Sequence, residues 1–267
     1  MKNLENVLTK YYSIFITSVK SNLTYVKETL YGTTFMLVIM YIFINLWEVA
    51  FASKSTSLSM DFAQTVWYLL IAEAIVLSLN PVYITIGEEV QSGSLAYTIN
   101  RPYNYLAYHF FNGLGESLLR FIINLFSGAI LVLILVGPIH VEFLSLAPVG
   151  IIIFLAFLLN YCLSALIGFS AFFTEDTSGI AFIYQKFLFI LGGVLIPLDF
   201  FPGFMKQITN YLPFAFITFA PSKLFIDFSL LNFYHTLSGQ VLWIVLFMLI
   251  LNIVFTVGKR KLTINGG

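Results

Sequence analysis

The polar stretch that interrupts the hydrophobic sequence reads Gly87-Glu88-Glu89-Val90-Gln91-Ser92-Gly93-Ser94-Leu95, and Asn100-Arg101-Pro102 follows it. Long hydrophobic segments precede and follow this stretch. Only 10% of the 267 residues are charged, so two adjacent carboxylates between glycines are unusual here. A chain without a soluble domain does not need such a polar surface for its own folding. We therefore expect the stretch to lie outside the membrane as a docking surface for another protein.

The composition is that of an integral membrane protein. Hydrophobic residues make up 59% of the chain, whereas soluble domains are typically about 45–50% apolar and about 25% charged. The mean hydropathy is +0.92. The formal net charge is zero, which gives no reason to expect a nucleic-acid partner. Cys162 is the single cysteine, so one chain cannot form a disulfide framework.

Six segments are long and apolar enough to cross a bilayer, which takes about 20 mostly apolar residues. They cover residues 33–52, 62–86, 105–136, 146–173, 179–196 and 239–257. Pro81 is expected to kink the second segment near its end. The sequence therefore predicts an all-α polytopic membrane protein with six transmembrane helices.

Basic residues predict the orientation, because Lys and Arg are enriched in cytoplasmic loops. The N-terminal arm carries four lysines, the loop between the second and third spans carries Arg101, and the C-terminal tail contains Lys259-Arg260-Lys261. With six spans, all three places lie on one side of the membrane. We therefore expect both termini to be cytoplasmic.

Two segments outside the spans have patterns of their own. In residues 1–30 polar side chains recur at steps of three or four, which predicts an amphipathic helix in the membrane interface. Residues 197–224 are rich in phenylalanine, including Phe201, yet cannot form one straight helix because of their prolines. These prolines are Pro197, Pro202, Pro213 and Pro221. We expect short helices that dip into the outer leaflet.

The charged residues inside predicted spans include Glu73, Glu116 and Arg120. Glu73 lies near the middle of the second span, where a carboxylate costs several kcal/mol unless it faces a cavity or a partner. It is either a residue of the substrate path or a neutral, hydrogen-bonded packing residue. Glu116 and Arg120 are four residues apart near the start of the third span, so they can pair on one helix face.

The sequence lacks the common motifs of catalytic sites. It contains no Gly-x-x-x-x-Gly-Lys-Ser/Thr phosphate loop, no Gly-x-Ser-x-Gly elbow and no His-Glu-x-x-His. We therefore expect a non-catalytic chain without a metal or cofactor of its own. Glu175 and Asp176 form a second acidic spot on the expected cytoplasmic face; it either caps the fifth span or contacts a cytoplasmic partner.

The motifs together resemble the membrane subunits of bacterial ABC-2 type exporters. One set is Glu88-Glu89-x-x-x-Gly93-x-Leu95 with Asn100-Arg101-Pro102 behind it. A second set is Gly192-Gly193, Ile196-Pro197-Leu198-x-x-Phe201-Pro202, Leu212-Pro213-Phe214 and Pro221. The layout matches this family over essentially the whole chain.

The resemblance implies a permease subunit of an ATP-driven exporter in the bacterial cytoplasmic membrane. Two such subunits, identical or paralogous, pair and associate with cytoplasmic ABC ATPase subunits, which bind ATP and Mg. Residues 1–30 correspond to the connecting helix and 31–267 to a six-helix transmembrane domain. Within that domain, 87–104 form the coupling loop, with the coupling helix at 87–95, and 197–224 form an extracellular re-entrant hairpin. The path runs between the two permeases, lined mainly by spans two and five.

Specific roles follow from this correspondence. Glu88 and Glu89 are expected to contact basic residues of the ATPase, with Gly93 ending the helix or allowing close approach. Arg101-Pro102 would stop the loop and start the next span. The 29 phenylalanines suit a hydrophobic or amphipathic cargo such as a drug, a lipid or a peptide, although they also suit plain lipid contact. The alternative is a proton-driven secondary transporter that uses Glu73, Glu116 and Arg120.

Overall fold

The computed structural model describes residues 2–24, 26–52, 60–174 and 176–265, and the described chain is helical without strands. Short 3-10 turns occupy Phe143–Ser145, Ser170–Phe172 and Leu198–Phe200. The helices are α1 Lys2–Thr24, α2 Val26–Ala52, α3 Phe62–Val76, α4 Val82–Gln91, α5 Leu95–Ile99, α6 Tyr105–Leu135, α7 Leu146–Phe169, α8 Ser178–Leu191, α9 Gly203–Thr209, α10 Pro213–Ile217, α11 Phe219–Ile226 and α12 Leu230–Asn265.

Within the described residues, four long apolar segments can cross a membrane by their length and composition. They are Thr29–Ala52, Tyr105–Leu135, Phe143–Phe172 and Leu230–Arg260, and they correspond to the first, third, fourth and sixth predicted spans. The helices of the second and fifth predicted spans, α3 and α8, are shorter, with 15 and 14 residues. The all-α membrane fold is confirmed, while the number of six spans stays a prediction.

The second predicted span is broken rather than kinked. We expected one helix over 62–86, but α3 ends at Val76 and α4 begins at Val82. Pro81 has no N–H to donate and disfavours the helical conformation in the residue before it. Ser78 adds a competing bond, since its hydroxyl donates to the Ala74 carbonyl at 2.6 Å. The two helices are therefore separate elements joined by non-helical backbone at 77–81.

Helices α3 and α7 form the interior of the bundle. All residues of α3 from Thr65 to Val76 are buried, and α3 packs against α2, α6 and α11. Helix α7 packs against α4 and α12. Small residues permit these contacts: a Cβ added at Gly168 of α7 would lie 2.7 Å from Cβ of Ile86 in α4. The central helices are thus held at close range, and α2, α6 and α12 surround them.

The bundle has two distinct ends. At the α4–α5 end, the start of α6 meets the later turns of α12, where Tyr105 stacks on Phe255 with ring centroids 5.8 Å apart. At the hairpin end, the segment 197–224 covers the start of α3, where Phe219 of α11 packs against Tyr68 with ring centroids 5.9 Å apart. The acidic residues of the polar stretch and the proline-rich segment therefore lie at opposite ends.

The hairpin segment consists of short helices, as predicted, and each proline lies at the start of one. Pro197 and Pro202 directly precede the turn Leu198–Phe200 and α9. Pro213 is the first residue of α10, and Pro221 lies in the first turn of α11. A proline costs little there, because the first N–H groups of a helix have no partner within the helix. How deeply the segment dips into the membrane stays a prediction.

An ion-pair cluster, which we name the Asp199 cluster, holds this hairpin together. The Asp199 carboxylate lies 2.6 Å from Nζ of Lys206 in α9 and 2.8 Å from Nζ of Lys223 in α11. Burial by itself raises the pKa of Asp199. The hydrogen bonds and positive charges of both lysines lower it by a larger amount, so the pKa lies below its usual value. Three short helical pieces are thereby joined through one side chain.

Candidate coupling surface and a polar break in the bundle

The polar stretch folds into two short helices with a sharp turn between them. Helix α4 ends at Gln91, and the Ser92 hydroxyl donates to the Glu88 carbonyl at 2.7 Å. Gly93 then adopts φ +74°, and its N–H donates to the Val90 carbonyl at 3.2 Å. This left-handed conformation favours glycine and ends helices. The prediction that Gly93 ends the helix is confirmed, but a single coupling helix over 87–95 is wrong.

The two adjacent glutamates point in different directions. The Glu88 side chain is exposed, whereas that of Glu89 is only 19% exposed. Oε2 of Glu89 accepts hydrogen bonds from the Tyr105 hydroxyl at 2.7 Å and the Thr98 hydroxyl at 3.2 Å. Nε2 of His109 lies 3.9 Å from Oε1. We name these residues the Glu89 cluster; they join α4, α5 and α6, so Glu89 is an internal anchor.

The outward face of the stretch carries a large aromatic side chain that the sequence reasoning overlooked. Tyr97 of α5 is 80% exposed. Val90 and Leu95 are buried and fix the inner side of the two helices. We define the coupling surface by the exposed side chains of this face, which are Glu88, Gln91, Ser92, Tyr97 and Asn100. The signal in the sequence is an aromatic residue, Tyr97, within a polar segment. It lies two positions after the apolar Leu95, which is buried in the structure.

The loop after α5 contacts the N-terminal helix instead of starting the next span. Nζ of Lys10 donates to the Pro102 carbonyl at 3.0 Å, and Nη1 of Arg101 donates to the Tyr103 hydroxyl at 3.1 Å. Helix α6 begins at Tyr105, and Asn104 caps it by accepting the Ala107 N–H at 3.0 Å. Arg101 and Pro102 thus lie just before the next span, and Asn104 supplies the start signal of its helix.

The second acidic spot lies next to α4. Asp176 accepts the backbone N–H of Ser178, the first residue of α8, at 2.8 Å and also the Ser178 hydroxyl. These hydrogen bonds lower the pKa of Asp176, and one of them satisfies the first N–H of α8, although the N-cap residue is Thr177. Thr177 lies against α4, because a Cβ added at Gly87 would be 3.3 Å from Thr177 Oγ1. Glu175 lies outside the described residues, and a partner contact here stays a prediction.

The break between α3 and α4 gathers buried polar groups. Nδ2 of Asn124 in α6 donates to the Ser78 hydroxyl at 3.2 Å, and Oδ1 of Asn124 accepts from the Thr33 hydroxyl in α2 at 2.8 Å. On the other side of the break, the Tyr83 N–H donates to the Ser164 hydroxyl in α7 at 3.1 Å. Neighbouring helices thus satisfy the backbone and side-chain groups that the break releases, as required inside a membrane.

A cavity of about 270 Å³ lies beside the break, between α4, α7 and α8. Nε2 of Gln185 donates to the Tyr83 hydroxyl at 3.0 Å across it, and the Tyr184 hydroxyl donates to Asn160. Its polar lining consists of Asn80, Tyr83, Asn160, Ser164, Tyr184 and Gln185. The other lining residues are mainly aliphatic, so the cavity presents a belt of uncharged hydrogen-bonding groups in an apolar wall.

A comparison with protein families agrees with this architecture. A family model described as ABC-2 family transporter protein matches residues 35–266, from α2 to the end of α12. The chain belongs to the ABC-2 family of transporter membrane proteins. Membership implies a permease subunit of an ABC transporter, and such subunits are typically non-catalytic and associate with ABC ATPase subunits. No curated protein matches the chain.

The charged residues inside the permease fall into two groups. Glu116 and Arg120 pair as predicted, with Nη2 of Arg120 2.5 Å from Oε1, and Asn80 at the break donates to Oε2 at 2.5 Å. Glu73 is 1% exposed, and its Oε2 has no hydrogen-bond partner among the described residues. The described part of the permease holds no cluster of three or more His, Cys, Asp or Glu side chains suited to a metal.

Proposed function

We propose that the chain is the permease subunit of an ATP-driven exporter and that an ABC ATPase docks on the coupling surface. The observation that supports this most directly is Tyr97, which is 80% exposed on a helix whose inner side is fixed by buried Leu95. Exposed, rigidly held tyrosines are typical anchors of protein interfaces. Glu88 adds an exposed carboxylate beside it for a basic group of the ATPase.

The Glu89 cluster supplies a mechanical link from this surface to the membrane. A helix of five residues such as α5 is not stable by itself, but Glu89 binds Thr98 of α5 and Tyr105 of α6 through one oxygen. A displacement of α5 is therefore passed to α4 and α6 together. Helix α4 then leads to the break at 77–81, where non-helical backbone can absorb a rotation of the helix.

The positions of the termini and the basic residues support a cytoplasmic α4–α5 end. Lys10 and Arg101 lie at this end, together with Lys259, whose Nζ is 4.5 Å from the Phe255 ring centroid. Helix α1 and the last turns of α12 lie here as well, because Tyr11 accepts the Asn104 N–H at 3.1 Å. By the positive-inside rule both termini are cytoplasmic, and the hairpin faces the outside.

We further propose that the cargo is amphipathic. The uncharged polar cavity beside the break suits a hydrogen-bonding head group. Next to it, α8 exposes an apolar face formed by Phe182, Ile183, Phe187 and Ile190. A second permease, identical or paralogous, would cover this face of α8 and close the path around the apolar part of the cargo.

The docking proposal is tested by co-purification from native membranes, with ATPase activity measured on the eluate. We expect wild-type permease to retain an ATPase, and Tyr97→Ala to lower the retained amount at least tenfold, as for a strong interface anchor. Phe204→Ala is the matched control, since Phe204 is 67% exposed at the hairpin end. Equal ATPase recovery with both variants would refute the proposed surface.

The cargo proposal is tested separately with Gln185→Leu, which removes one polar group of the cavity and its bond to Tyr83. We expect weaker stimulation of the ATPase by amphipathic substrates with the basal rate unchanged. Gln207→Leu, at an exposed glutamine of α9, is the control. If stimulation by every substrate tested were unchanged in Gln185→Leu, the cavity would not be part of the path.

The alternative of a proton-driven transporter is favoured by one observation, the unpartnered Oε2 of buried Glu73. Glu116 and Arg120, however, neutralise each other, and Glu116 also accepts a hydrogen bond from Asn80, so they do not continue a proton path from Glu73. Transport by the permease without its ATPase, abolished by an uncoupler and by Glu73→Gln, would establish the alternative. Transport that requires ATP and survives the uncoupler would exclude it.

A further inference from the structure

A large groove lies between α1 and α6, away from the break. It encloses about 580 Å³, within the range of about 300–1,000 Å³ typical of ligand sites. The lining is aromatic and aliphatic apart from one threonine and comprises Leu8, Thr9, Tyr11, Tyr12, Phe15, Phe111 and Leu114. Tyr11 stacks on Phe111 with centroids 5.2 Å apart, which forms part of the wall.

The two helices that border the groove are held rigidly. The Ser18 hydroxyl donates to the Asn112 carbonyl at 2.6 Å. A Cβ added at Gly115 would lie 2.8 Å from the Phe15 carbonyl oxygen, so α1 and α6 are in direct backbone contact there. The groove is therefore a preformed feature beside a tight helix contact.

The same groove has a cationic rim. Tyr11, which lines it, accepts the Asn104 N–H at 3.1 Å, and neighbouring Lys10 donates to the Pro102 carbonyl at 3.0 Å. Both contacts bring the loop that carries exposed Arg101 to the edge of the groove. The carboxylate of Glu89 acts electrostatically on Arg101. The same carboxylate already accepts hydrogen bonds from the Tyr105 and Thr98 hydroxyls. The rim thus presents two basic side chains beside an apolar slot.

The exposed face of α1 indicates which kind of ligand reaches this slot. Val7, Leu8, Tyr12 and Leu23 are 45%, 65%, 64% and 51% exposed, on a helix whose other positions include exposed lysines. An amphipathic helix with this pattern lies at the headgroup level of a bilayer. Basic residues at that level attract anionic lipids.

We propose that the groove between α1 and α6 binds an acyl chain of an anionic phospholipid, with its phosphate against Lys10 and Arg101. The apolar slot takes the chain, and the cationic rim selects the charge of the head group. Because the lipid touches both α1 and the loop that follows α5, it stabilises the position of that loop. Its binding does not depend on cargo transport or on an ATPase.

The test measures lipid binding to the purified full-length permease in detergent micelles by native mass spectrometry. The probes are phosphatidylglycerol and phosphatidylcholine with identical acyl chains. The double variant Lys10→Gln/Arg101→Gln removes the cationic rim, and Leu8→Glu places a charge in the slot at an exposed position. The matched controls on the same helix are Lys20→Gln and Leu23→Glu, both at exposed residues outside the groove.

We expect the wild type to prefer phosphatidylglycerol. The double variant should lose roughly 25-fold in phosphatidylglycerol affinity, since each basic residue contributes about fivefold near an anionic head group. Leu8→Glu should lose binding of both lipids at this site, and the two control variants should bind like the wild type. Equal affinity for both lipids, or an equal loss in Lys20→Gln and Leu23→Glu, would overturn the proposal.

Discussion

The two ends of the bundle each join several helices through one carboxylate, but they balance its charge differently. Asp199 at the hairpin end has two lysine ammonium groups at 2.6 and 2.8 Å. Glu89 at the α4–α5 end is held by two uncharged hydroxyls, with a histidine nitrogen 3.9 Å away. The first arrangement is a strong ionic lock, and the second is a weaker set of hydrogen bonds.

This difference matches what is proposed for the two ends. A hairpin that faces the outside and keeps its arrangement benefits from opposite charges that are costly to separate once partly buried. A segment that passes ATPase movements into the membrane has to shift without breaking buried ion pairs. Hydrogen bonds from hydroxyls to a carboxylate cost less to rearrange, so the Glu89 cluster suits a moving joint.

The largest effect is expected at the hairpin end. Asp199→Asn leaves two partly buried lysines facing each other, which should lower the free energy of unfolding by about 3 kcal/mol. Thermal unfolding of the permease in detergent measures the loss. Asp227→Asn makes the same chemical change at an exposed position and serves as the control. Equal melting temperatures for the two variants would show that the Asp199 cluster does not stabilise the hairpin.

The second effect separates the adjacent glutamates. Glu89→Gln weakens charge-assisted hydrogen bonds from Tyr105 and Thr98, which should cost about 1.5 kcal/mol of stability. Glu88→Gln, at the exposed neighbour, should change stability by no more than about 0.5 kcal/mol. Denaturant titration of both variants checks the difference. If Glu88→Gln were the more destabilising, the assignment of inner and outer residues would be reversed.

A third effect concerns the turn that separates α4 from α5. Gly93→Ala forces a residue with a Cβ into φ +74°, which should cost about 1 kcal/mol. No atom lies within 4 Å of the added Cβ, so the cost is conformational rather than steric. Gly203→Ala, where the added Cβ also meets open space without a positive φ, is the control. A neutral Gly93→Ala would mean that this turn does not need its left-handed residue.

The smallest effect is a pH dependence confined to the hairpin end. The pKa of Asp199 is lower in the folded protein than in the unfolded chain, so its ionised form stabilises the fold. This stabilisation is complete above the unfolded pKa of about 3.9 and is lost as the pH falls through the folded value. The gap in melting temperature between wild type and Asp199→Asn should therefore shrink below about pH 4. A constant gap would contradict an ionic origin.

Hydropathy was sufficient for the coarse architecture because bilayer-spanning helices need long apolar runs. The long runs that became α2, α6, α7 and α12 are therefore recognisable from the sequence. The sequence predicted the break after Val76 only in part, because Pro81 indicated a kink. The separation into two helices also depends on the hydrogen bonds of Ser78 with Ala74 and with Asn124 of α6. Nonlocal hydrogen bonds of this kind leave no local pattern.

The sequence indicated where polar groups cluster at the α4–α5 end, but it did not distinguish the inner residues from the outer ones. Glu88 and Glu89 are adjacent and chemically alike, and only the contact of Glu89 with Tyr105, sixteen positions further along, shows that it is internal. Asp199 likewise has no recognisable partner in its phenylalanine-rich segment of sequence. In the folded protein, Lys206 and Lys223 lie next to it. Local pattern indicates where polar groups cluster, whereas tertiary contacts decide which of them remain available to a partner.

Photo-crosslinking in native membranes shows whether an ABC ATPase binds the coupling surface at the α4–α5 end. A photo-crosslinking amino acid is placed at Tyr97, 80% exposed, or at Phe204, 67% exposed at the hairpin end, and the membranes are irradiated. We expect an adduct with an ATPase subunit from position 97 and none from position 204. No ATPase adduct at 97, or equal adducts at both positions, would contradict the account.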